Sequence, residues 1–556
     1  MTESWITDGS PMSVQPPAHT VVLEGRRRWG ALVALALGVA MIILDATIVN
    51  VAIPTMVKDL NLTTNDAEWV TAAYSLVFAS LLILAGRTAD RFGRRVLFII
   101  GVITFVAASV LVALSGNSAE IIGARALQGV GAALILPSSL SIINAVFVGK
   151  ARAAAFAVWG ATIGGMAALG PLVGGWLTTY ATWHWAFLIN VPIGILVLVG
   201  VFVFVPETKD PSSTQGMDPA GIALSTLGLL GVVFALIEGQ RYGWVMTKTP
   251  FEIFGMTWSG GLSPAFVSLI IGVVLLVALV IVERRRLAAG KAVIFDLNLF
   301  KIRSFGAGNA VALIVSLGEF GLLFALPLFL QSVRGYSALE TGVILLALAL
   351  GSFVASGVGA GLAQRIGPVR VLQIGMGCEV VGIVGLGVVI STSVTGWGLA
   401  PWLFLYGMGV GFATAQLTGV ILSETPVAQS GQASAMQSTA RQVGAAIGTA
   451  ILGTTLLIGL GANVAQQLEN SGVPTTEAEQ VTEAVQSSAG TVIPSLASQP
   501  GGDVLVTGAS EGFAQATTWV AWVAAAFVLL GLIATFLLPA NAARVESEGY
   551  APPGSE

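Results

Sequence analysis

The sequence predicts an all-α membrane protein that crosses the bilayer fourteen times. Of its 556 residues, 55% are hydrophobic and only 10% are charged, whereas soluble domains carry about 25% charged residues. A chain this apolar cannot cover a soluble fold with polar surface. Its apolar residues also fall into runs of about 20, the length that a membrane-spanning helix needs. The composition therefore indicates a polytopic membrane protein.

Fourteen apolar runs are long enough to be spans, and they are numbered here in chain order. They lie at 30–54, 69–86, 96–114, 120–143, 153–176, 185–205, 219–237, 263–282, 305–330, 338–360, 371–390, 398–423, 435–460 and 516–538. The first run follows a polar tail that ends in Arg26, Arg27 and Arg28. It is too long for the core of a signal peptide, so we expect it to be retained as span 1.

The basic residues predict how the chain is oriented. With a cytoplasmic N-terminus, nineteen of the 25 lysines and arginines fall in cytoplasmic segments and four fall outside. Short cytoplasmic loops of membrane proteins are enriched in these residues. We therefore expect a multi-pass protein of the cell membrane with both termini in the cytoplasm.

A loop between spans 2 and 3 indicates an internal repeat. Residues 86–95 read Gly-Arg-Thr-Ala-Asp-Arg-Phe-Gly-Arg-Arg, and a partial copy, Ala-Gln-Arg-Ile-Gly, occurs at 363–367. The offset of 274 residues places span 2 on span 10, so spans 9–14 repeat spans 1–6 and spans 7 and 8 are inserted. Two six-helix halves are typical of transporters that bind substrate between the halves and open alternately to each side.

This repeat divides the chain into five parts. They are a cytoplasmic tail at 1–28, an N-terminal six-helix bundle at 29–205, two inserted helices with linkers at 206–303, a C-terminal six-helix bundle at 304–538 and a cytoplasmic tail at 539–556. The amphipathic segment 294–303 is expected at the cytoplasmic membrane interface. Residues 461–515 form a polar external segment, predicted to be either short helices or flexible chain.

Three acidic residues inside apolar spans are candidates for proton coupling or for binding a substrate's charge: Asp45, Glu319 and Glu379. An ionisable residue at the centre of a membrane helix costs roughly 2.5–3.5 kcal/mol, so it is rarely kept without a use. Burial favours a neutral acid over a carboxylate, and a buried acid can therefore exchange a proton for a cationic substrate. Asp45 and Glu319 are separated by the 274 residues of the repeat. The alternative is a carboxyl that only hydrogen-bonds a neighbouring helix.

Two arginines also lie within spans, Arg125 in span 4 and Arg441 in span 13. An arginine keeps its charge, so inside a bundle it needs an anion or carbonyl groups as partners. Asp45 is the expected partner of Arg125. Protonation of Asp45 would then release Arg125 as a local switch, and the alternative is a static ion pair. Arg441 is a further candidate site residue.

Span 5 has the signature of close helix packing. Its small residues and proline include Gly164, Gly170, Pro171, Gly174 and Gly175. Small residues at this spacing let two helix backbones approach each other. Packing alone explains the pattern, so it is weak support for any function.

The loop at 86–95 places four arginines and one aspartate at one membrane face. We expect it to latch the cytoplasmic ends of the two halves in one conformation. The candidate latch residues are Gly86, Asp90, Arg91, Gly93 and Arg94. In the partial copy Gln364 replaces the aspartate, which predicts an asymmetric latch.

The sequence shows no sign of an enzyme, a metal centre or an ATP-driven pump. It has no Gly-x-x-x-x-Gly-Lys-Ser/Thr sequence for binding a nucleotide and no evident set of nucleophile and base. One cysteine, Cys378, and two histidines, His19 and His184, are too few for a metal site. We therefore expect no cofactor, a proton gradient as the energy source, and neither a nucleic acid nor an obligate protein as partner.

These motifs together resemble those of the fourteen-helix drug/proton antiporters of the major facilitator superfamily. The resemblance rests on the loop at 86–95 and on the sequences at 44–54, 125–131, 170–175, 183–194, 431–435 and 441–444. It implies a fold of two six-helix bundles plus two inserted helices. It also implies export of amphipathic, often cationic drugs in exchange for protons.

Two other functions fit the sequence less closely. The cleft between the halves would also suit an exporter or flippase of a lipid or an amphiphilic metabolite. A receptor or scaffold is the third possibility, but neither has a use for buried acids. A ligand-dependent proton flux distinguishes a proton-coupled transporter from a receptor or scaffold.

Overall fold

The computed structural model describes residues 25–62, 64–209, 218–253 and 256–539, and these residues are almost wholly helical. The predicted tails at 1–28 and 539–556 lie almost entirely outside this part. Along the described residues the α-helices are α1 (Gly25–Leu60), α2 (Thr64–Phe92), α3 (Arg94–Leu114), α4 (Ser118–Val146), α5 (Gly149–Tyr180), α6 (His184–Leu188), α7 (Asn190–Phe204), α8 (Pro219–Tyr242), α9 (Pro264–Ala288), α10 (Arg303–Ser332), α11 (Ala338–Ile366), α12 (Pro368–Val389), α13 (Gly396–Leu422), α14 (Ser430–Asn470), α15 (Thr475–Ser487) and α16 (Gly502–Ala534).

The helices have the lengths that a membrane protein needs. Within the described residues, twelve helical segments are long and apolar enough to cross a bilayer. Helix α5 makes a thirteenth if its two parts, bent by 40° near residue 168, count as one span. Helix α10 contains 30 residues, about 45 Å of helix, and has the length of a further span. The predicted all-α membrane fold is confirmed.

Capping residues explain where several helices begin. Asn117 accepts a hydrogen bond from Glu120 N at the start of α4, and Ser337 forms a capping box with Glu340 at the start of α11. Side-chain oxygens at these positions satisfy backbone N–H groups that have no partner inside the helix. Gly93 and Gly367 precede α3 and α12 with φ of +116° and +90°. Glycine adopts such angles without strain, and the two residues are equivalent in the repeat.

The helices form two bundles and an inserted pair. Helices α1–α7 pack on one another, α10–α14 and α16 form the second bundle, and α8 packs on α9. The inserted pair leans on α2 and α14 through α8. Between the bundles, α5 lies against α11 and α13, while α2 and α4 lie against α14. We call the end of the molecule that carries the start of α1 and the end of α2 the basic end.

The segment at 461–515 is helical and packed. Helix α14 continues to Asn470, α15 follows, and α16 begins at Gly502 rather than near residue 516. The apolar side chains of this region pack into the main core, including Leu468, Ala478, Val481, Val485, Leu496 and Phe513. Of the two predicted alternatives, short helices are therefore the one observed.

The segment at 294–303 buries one apolar face in the protein. Ile294, Phe295 and Leu299 are buried in the main core, and a short 3₁₀ helix covers Leu297–Lys301. These three side chains pack on the protein, whereas Phe300 is exposed; the place of the segment at the membrane interface stays a prediction. A small antiparallel hairpin, β1 (Phe251–Ile253) and β2 (Met256–Trp258), connects α8 and α9 and was not predicted.

Candidate functional site

Asp45 and Arg125 form a buried ion pair in the N-terminal bundle. Asp45 lies on α1 and Arg125 on α4, and each residue is 1% exposed. Arg125 Nη1 lies 2.5 Å from Asp45 Oδ2. The structure thus brings together the two residues that the sequence suggested as partners. Removing one member of a buried pair leaves an uncompensated charge and costs about 3–5 kcal/mol.

Two side-chain amides complete the surroundings of Asp45. Its Oδ1 accepts hydrogen bonds from Gln128 Nε2 at 3.1 Å and from Asn190 Nδ2 at 2.9 Å. Both amides also donate to Ser109 Oγ, at 2.8 and 3.1 Å. Residues of α1, α3, α4 and α7 therefore converge on one carboxylate. Both of its oxygens are satisfied, so the pair with Arg125 is a compensated charge in this conformation.

Arg125 has partners besides Asp45. Its Nε donates to Val70 O at 3.0 Å, and its Cζ lies 4.5 Å from the ring centroid of Tyr74 and 5.7 Å from that of Phe187. A guanidinium is attracted to the face of an aromatic ring. If Asp45 becomes neutral, Arg125 still keeps a carbonyl and two rings. The geometry therefore permits the charge of Asp45 to change.

A second buried acid, Glu319, lies in the C-terminal bundle. It sits near the middle of α10, is 4% exposed, and its Oε2 lies 3.2 Å from Arg441 Nη2 on α14. Its Oε1 has no hydrogen-bond donor among the described residues. Tyr406 of α13 donates to the backbone carbonyl of Glu319 at 3.0 Å. This site is less completely hydrogen-bonded than that of Asp45.

Glu379 on α12 is completely buried, and neither of its carboxyl oxygens has a hydrogen-bond donor among the described residues. It packs on α13, where Gly409 leaves room for its side chain. Burying an uncompensated carboxylate is very costly. We therefore expect Glu379 to carry a proton.

Glu379→Gln tests this assignment. Glutamine has a similar shape but no ionisable proton, so we expect the variant to fold and to remain stable as the pH rises. In the wild type, Glu379 should lose its proton as the pH rises and become a buried carboxylate without a partner. The wild type should therefore lose stability. The melting temperature of the variant should exceed that of the wild type by an increasing margin toward alkaline pH. Glu479→Gln, at an exposed position of α15, is the control, and an equal response of both variants would contradict the assignment.

The glycines of α5 bring this helix close to both bundles. A side chain at Gly164 would meet Ser352 Oγ of α11 at 2.8 Å, and one at Gly174 would meet Ile48 O of α1 at 3.2 Å. A side chain at Gly170 would overlap Thr47 of α1. Pro171 and Gly175 lie on the same helix, beyond its bend. The predicted packing role of this sequence agrees with these contacts.

Gly170→Ala should therefore destabilise the protein. Thr47 is branched at Cβ and its hydroxyl already donates to Ile43 O and Leu44 O, both at 3.0 Å, so it cannot easily turn away. We expect a loss of about 1–3 kcal/mol, the usual effect of overpacking, measured as a lower melting temperature in detergent. Gly123→Ala is the control because a side chain at Gly123 meets nothing within 4 Å. Equal melting temperatures would count against the close contact.

Asp90 at the end of α2 and Arg94 at the start of α3 bind the start of α14 and the turn before it at the basic end. Both residues are buried, and Asp90 Oδ1 accepts from Arg94 Nε at 3.0 Å. Asp90 also accepts from two backbone N–H groups in the first turn of α14, Gly431 N at 2.9 Å and Gln432 N at 3.0 Å. Arg94 Nη2 donates to Val427 O at 2.8 Å. A carboxylate at a helix N-terminus is stabilising, so these contacts hold the two bundles together at this end.

The other latch candidates, Gly86, Gly93 and Arg91, each have different neighbours. Gly86 lies against α14, where a side chain would overlap Ala435 and Gly431 O. Gly93 adopts its positive φ beside the carboxylate of Glu207. Arg91 lines a small cavity with Asp218 and does not join the contacts of Asp90. In the partial copy, Gln364 is exposed, as the predicted asymmetry requires.

The sequence interpretation missed several members of these networks. Gln128 and Asn190 contact Asp45 directly, yet neither was selected as a site residue. Both are polar side chains inside apolar spans. A search for any polar residue in a span, and not only for ionisable ones, would have found them. Tyr74 and Tyr406 gave no such signal because tyrosine is common in apolar spans.

Two cavities of the described residues lie away from the candidate acids. An open groove of about 420 Å³ lies between the end of α12 and α16, with Glu511, Trp519 and Trp522 in its lining. Across the described residues, no group of three or more His, Cys, Asp and Glu side chains could hold a metal ion. The candidate site is therefore a set of buried charges between helices.

Comparison with known proteins identifies the family. A sequence model of the Major Facilitator Superfamily matches residues 35–449, from α1 into α14. The chain belongs to this superfamily. As a member with apolar helices of spanning length, it is a multi-pass membrane transporter.

Curated relatives in this superfamily cover most of the chain. The probable actinorhodin transporter of Streptomyces coelicolor is 33% identical over 485 residues, which are 82% of this chain and 79% of the relative. The multidrug efflux pump LfrA of Mycolicibacterium smegmatis is 32% identical over 448 residues, which are 80% of this chain and 83% of the relative. Among solved structures, the human organic anion transporter MFSD10 matches 93% of this chain and 100% of its own, with a TM-score of 0.57 and 15% identity. At that identity the likeness shows the fold alone.

Proposed function

We propose that this transporter exports amphipathic, often cationic compounds in exchange for protons. The observation that carries the proposal is the unequal arrangement of buried acids. Asp45 is compensated by Arg125 and Glu319 by Arg441, whereas neither carboxyl oxygen of Glu379 has a hydrogen-bond donor among the described residues. The relatives support the substrate class, since one is named a multidrug efflux pump and the other an actinorhodin transporter.

The basic end is proposed to face the cytoplasm. It carries Arg87, Arg91, Arg94 and Arg95 at the end of α2 and the start of α3, as the cytoplasmic enrichment of basic residues requires. The contacts of Asp90 and Arg94 with α14 close this end. The structure then corresponds to a state that is shut toward the cytoplasm.

In the N-terminal bundle, Asp45 is proposed to be a proton-binding switch. Protonation would remove its charge and break the ion pair with Arg125, which would keep Val70 O, Tyr74 and Phe187 as partners. The amides of Gln128 and Asn190 would lose a charged acceptor at the same time. Four helices meet at this carboxylate, so a change in its charge would alter their packing.

In the C-terminal bundle, a proton bound by Glu319 or Glu379 is proposed to be the one exchanged for a cation. A positively charged substrate near these acids would take over the compensation that the proton provides. A charge moved across 100 mV is worth about 2.3 kcal/mol. One proton exchanged for one monocation is electroneutral, whereas two protons would make export sensitive to the membrane voltage.

Proteoliposomes provide the test. A gradient of a lipophilic monocation, such as tetraphenylphosphonium, is imposed on vesicles that contain the purified transporter, and the internal pH is followed with a trapped dye. We expect protons to move against the direction of the cation, without ATP. Cation flux with no proton flux would refute the proposed coupling. A lipid-flipping assay in the same vesicles tests the alternative function, which predicts lipid movement instead.

A further inference from the structure

Two buried carboxyl groups on the inserted helices face each other at the basic end. Asp218 caps α8 and is 4% exposed, and Glu283 lies near the end of α9 and is 1% exposed. Gly221 leaves the space between them free: a Cβ there would lie 2.5 Å from Glu283 Oε1 and 2.7 Å from Asp218 Oδ2. Neither acid belongs to the transport site described above.

The charges around this pair do not compensate two carboxylates. Arg286 Nε lies 3.0 Å from Asp218 Oδ2, but it donates its hydrogen to Ala292 O at 2.8 Å. From α2, Arg87 and Arg91 line the small cavity that also touches Asp218. The contact of Arg286 is with Asp218, and no ion pair to Glu283 is formed within the described part of the chain. Glu283 Oε2 and Asp218 Oδ2 have no hydrogen-bond donor among the described residues.

A shared proton resolves this arrangement. Glu283 Oε1 and Asp218 Oδ2 lie on either side of one small space, 2.5 and 2.7 Å from the position of a Cβ at Gly221, and two neighbouring carboxyl groups can form a hydrogen bond only when one of them carries a proton. Two ionised carboxylates so close together would repel each other. We infer that Asp218 and Glu283 form a proton-binding site in the inserted helices, separate from Asp45 and from the acids of the C-terminal bundle.

The proton site holds the linker that follows α9. Glu283 Oε1 accepts a long hydrogen bond from Ile294 N at 3.4 Å. The acid therefore anchors the start of the linker at 291–301. Ile294 and Phe295 are buried, so this anchor also positions apolar side chains in the core.

The linker continues this chain of hydrogen bonds to the latch. Asp296 N donates to Gln432 Oε1 at 3.0 Å, and Asp296 Oδ2 accepts from Gln429 Nε2 at 3.2 Å. Gln432 N in turn donates to Asp90 Oδ2 at 3.0 Å. The proton shared by Asp218 and Glu283 thus stabilises the linker against α14, beside the contacts that close the basic end. Loss of this proton would separate the two acids and release the linker.

Hydrogen–deuterium exchange of the purified full-length protein tests this inference. Exchange of the peptide that covers 291–301 is measured between about pH 5 and pH 9 and corrected for the intrinsic pH dependence of exchange. In the wild type we expect the protection of this peptide to fall about tenfold as the pH rises. In Glu283→Gln the amide oxygen still accepts from Ile294 and cannot ionise, so the protection should stay constant. The infrared difference spectrum of the wild type minus Glu283→Gln should show a protonated carboxyl band.

Two controls make the result decisive. Glu477→Gln, at an exposed position of α15, should behave like the wild type in both measurements. The melting temperature of Glu283→Gln shows whether the variant is folded, and Asp218→Asn is the second variant if it is not. Equal pH profiles for the wild type and the folded variants, or no difference in the carboxyl band, would overturn the inference. Neither readout depends on transport, so the result is independent of the proposed function.

Discussion

Asp45→Asn is expected to lower drug-driven proton release by more than about 100-fold, equivalent to at least about 2.7 kcal/mol. Asparagine cannot bind and release a proton at this position, and it leaves the buried charge of Arg125 without its partner. The measurement is the internal pH of proteoliposomes during a drug pulse, with drug uptake recorded in the same vesicles. Drug binding in detergent shows separately whether the cleft has kept its affinity.

A double variant separates chemistry from folding. Asp45→Asn alone should lose stability, because breaking one side of a buried pair costs about 3–5 kcal/mol. Adding Arg125→Gln removes the uncompensated charge and should restore part of the melting temperature without restoring proton release. Asp503→Asn, at an exposed position of α16, is the matched control. If the double variant recovers both stability and proton release, Asp45 is a structural residue and the proposed switch is wrong.

The sequence predicted the fold well because a membrane constrains the length of each helix. Runs of about 20 apolar residues gave the helices directly. The ends were less certain: α16 begins at Gly502, where polar residues outside the membrane still form helix. The linker at 294–303 was placed in the interface because its pattern is amphipathic. An amphipathic pattern does not show whether lipid or protein covers the apolar face.

The candidate site was predicted in part, for a similar reason. An acid in an apolar span is visible in the sequence, and Asp45, Glu319 and Glu379 are all buried. The partner of Glu319 was not predicted, because Arg441 lies on α14, a contact that the sequence pattern does not reveal. The acids of the inserted helices were missed because Glu283 follows its predicted span directly. A charge at that position is usually solvated.

The two halves also differ more than the repeat suggests. Asp45 on the first helix of one bundle pairs with the fourth helix, whereas Glu319 on the first helix of the other pairs with the fifth. The N-terminal pair is closed by amides of Gln128 and Asn190. The C-terminal acids lack comparable donors. We infer that the N-terminal site responds to protonation by changing its helix contacts, while the C-terminal site stores the proton to be exchanged.

Asp90→Asn should slow turnover by more than about tenfold while leaving drug binding nearly unchanged. Asparagine can still accept a hydrogen bond from Gly431 N or Gln432 N, but it loses the charge that pairs with Arg94. The state closed at the basic end is then less populated, and each 1.4 kcal/mol lost to it changes the population ratio tenfold. Turnover is measured by drug uptake into proteoliposomes, and affinity by titration of the same drug in detergent.

Gln364→Asn in the partial copy of the loop is the matched control, since Gln364 is exposed and makes no contact equivalent to that of Asp90. It should leave turnover unchanged. The latch would be refuted if Asp90→Asn lowered drug affinity as strongly as turnover, because Asp90 would then shape the binding cleft itself. It would also be refuted if the exchange protection of 427–432, where Arg94 and Asp90 bind, stayed at the wild-type level. A fall in that protection with intact affinity is the result that a conformational latch requires.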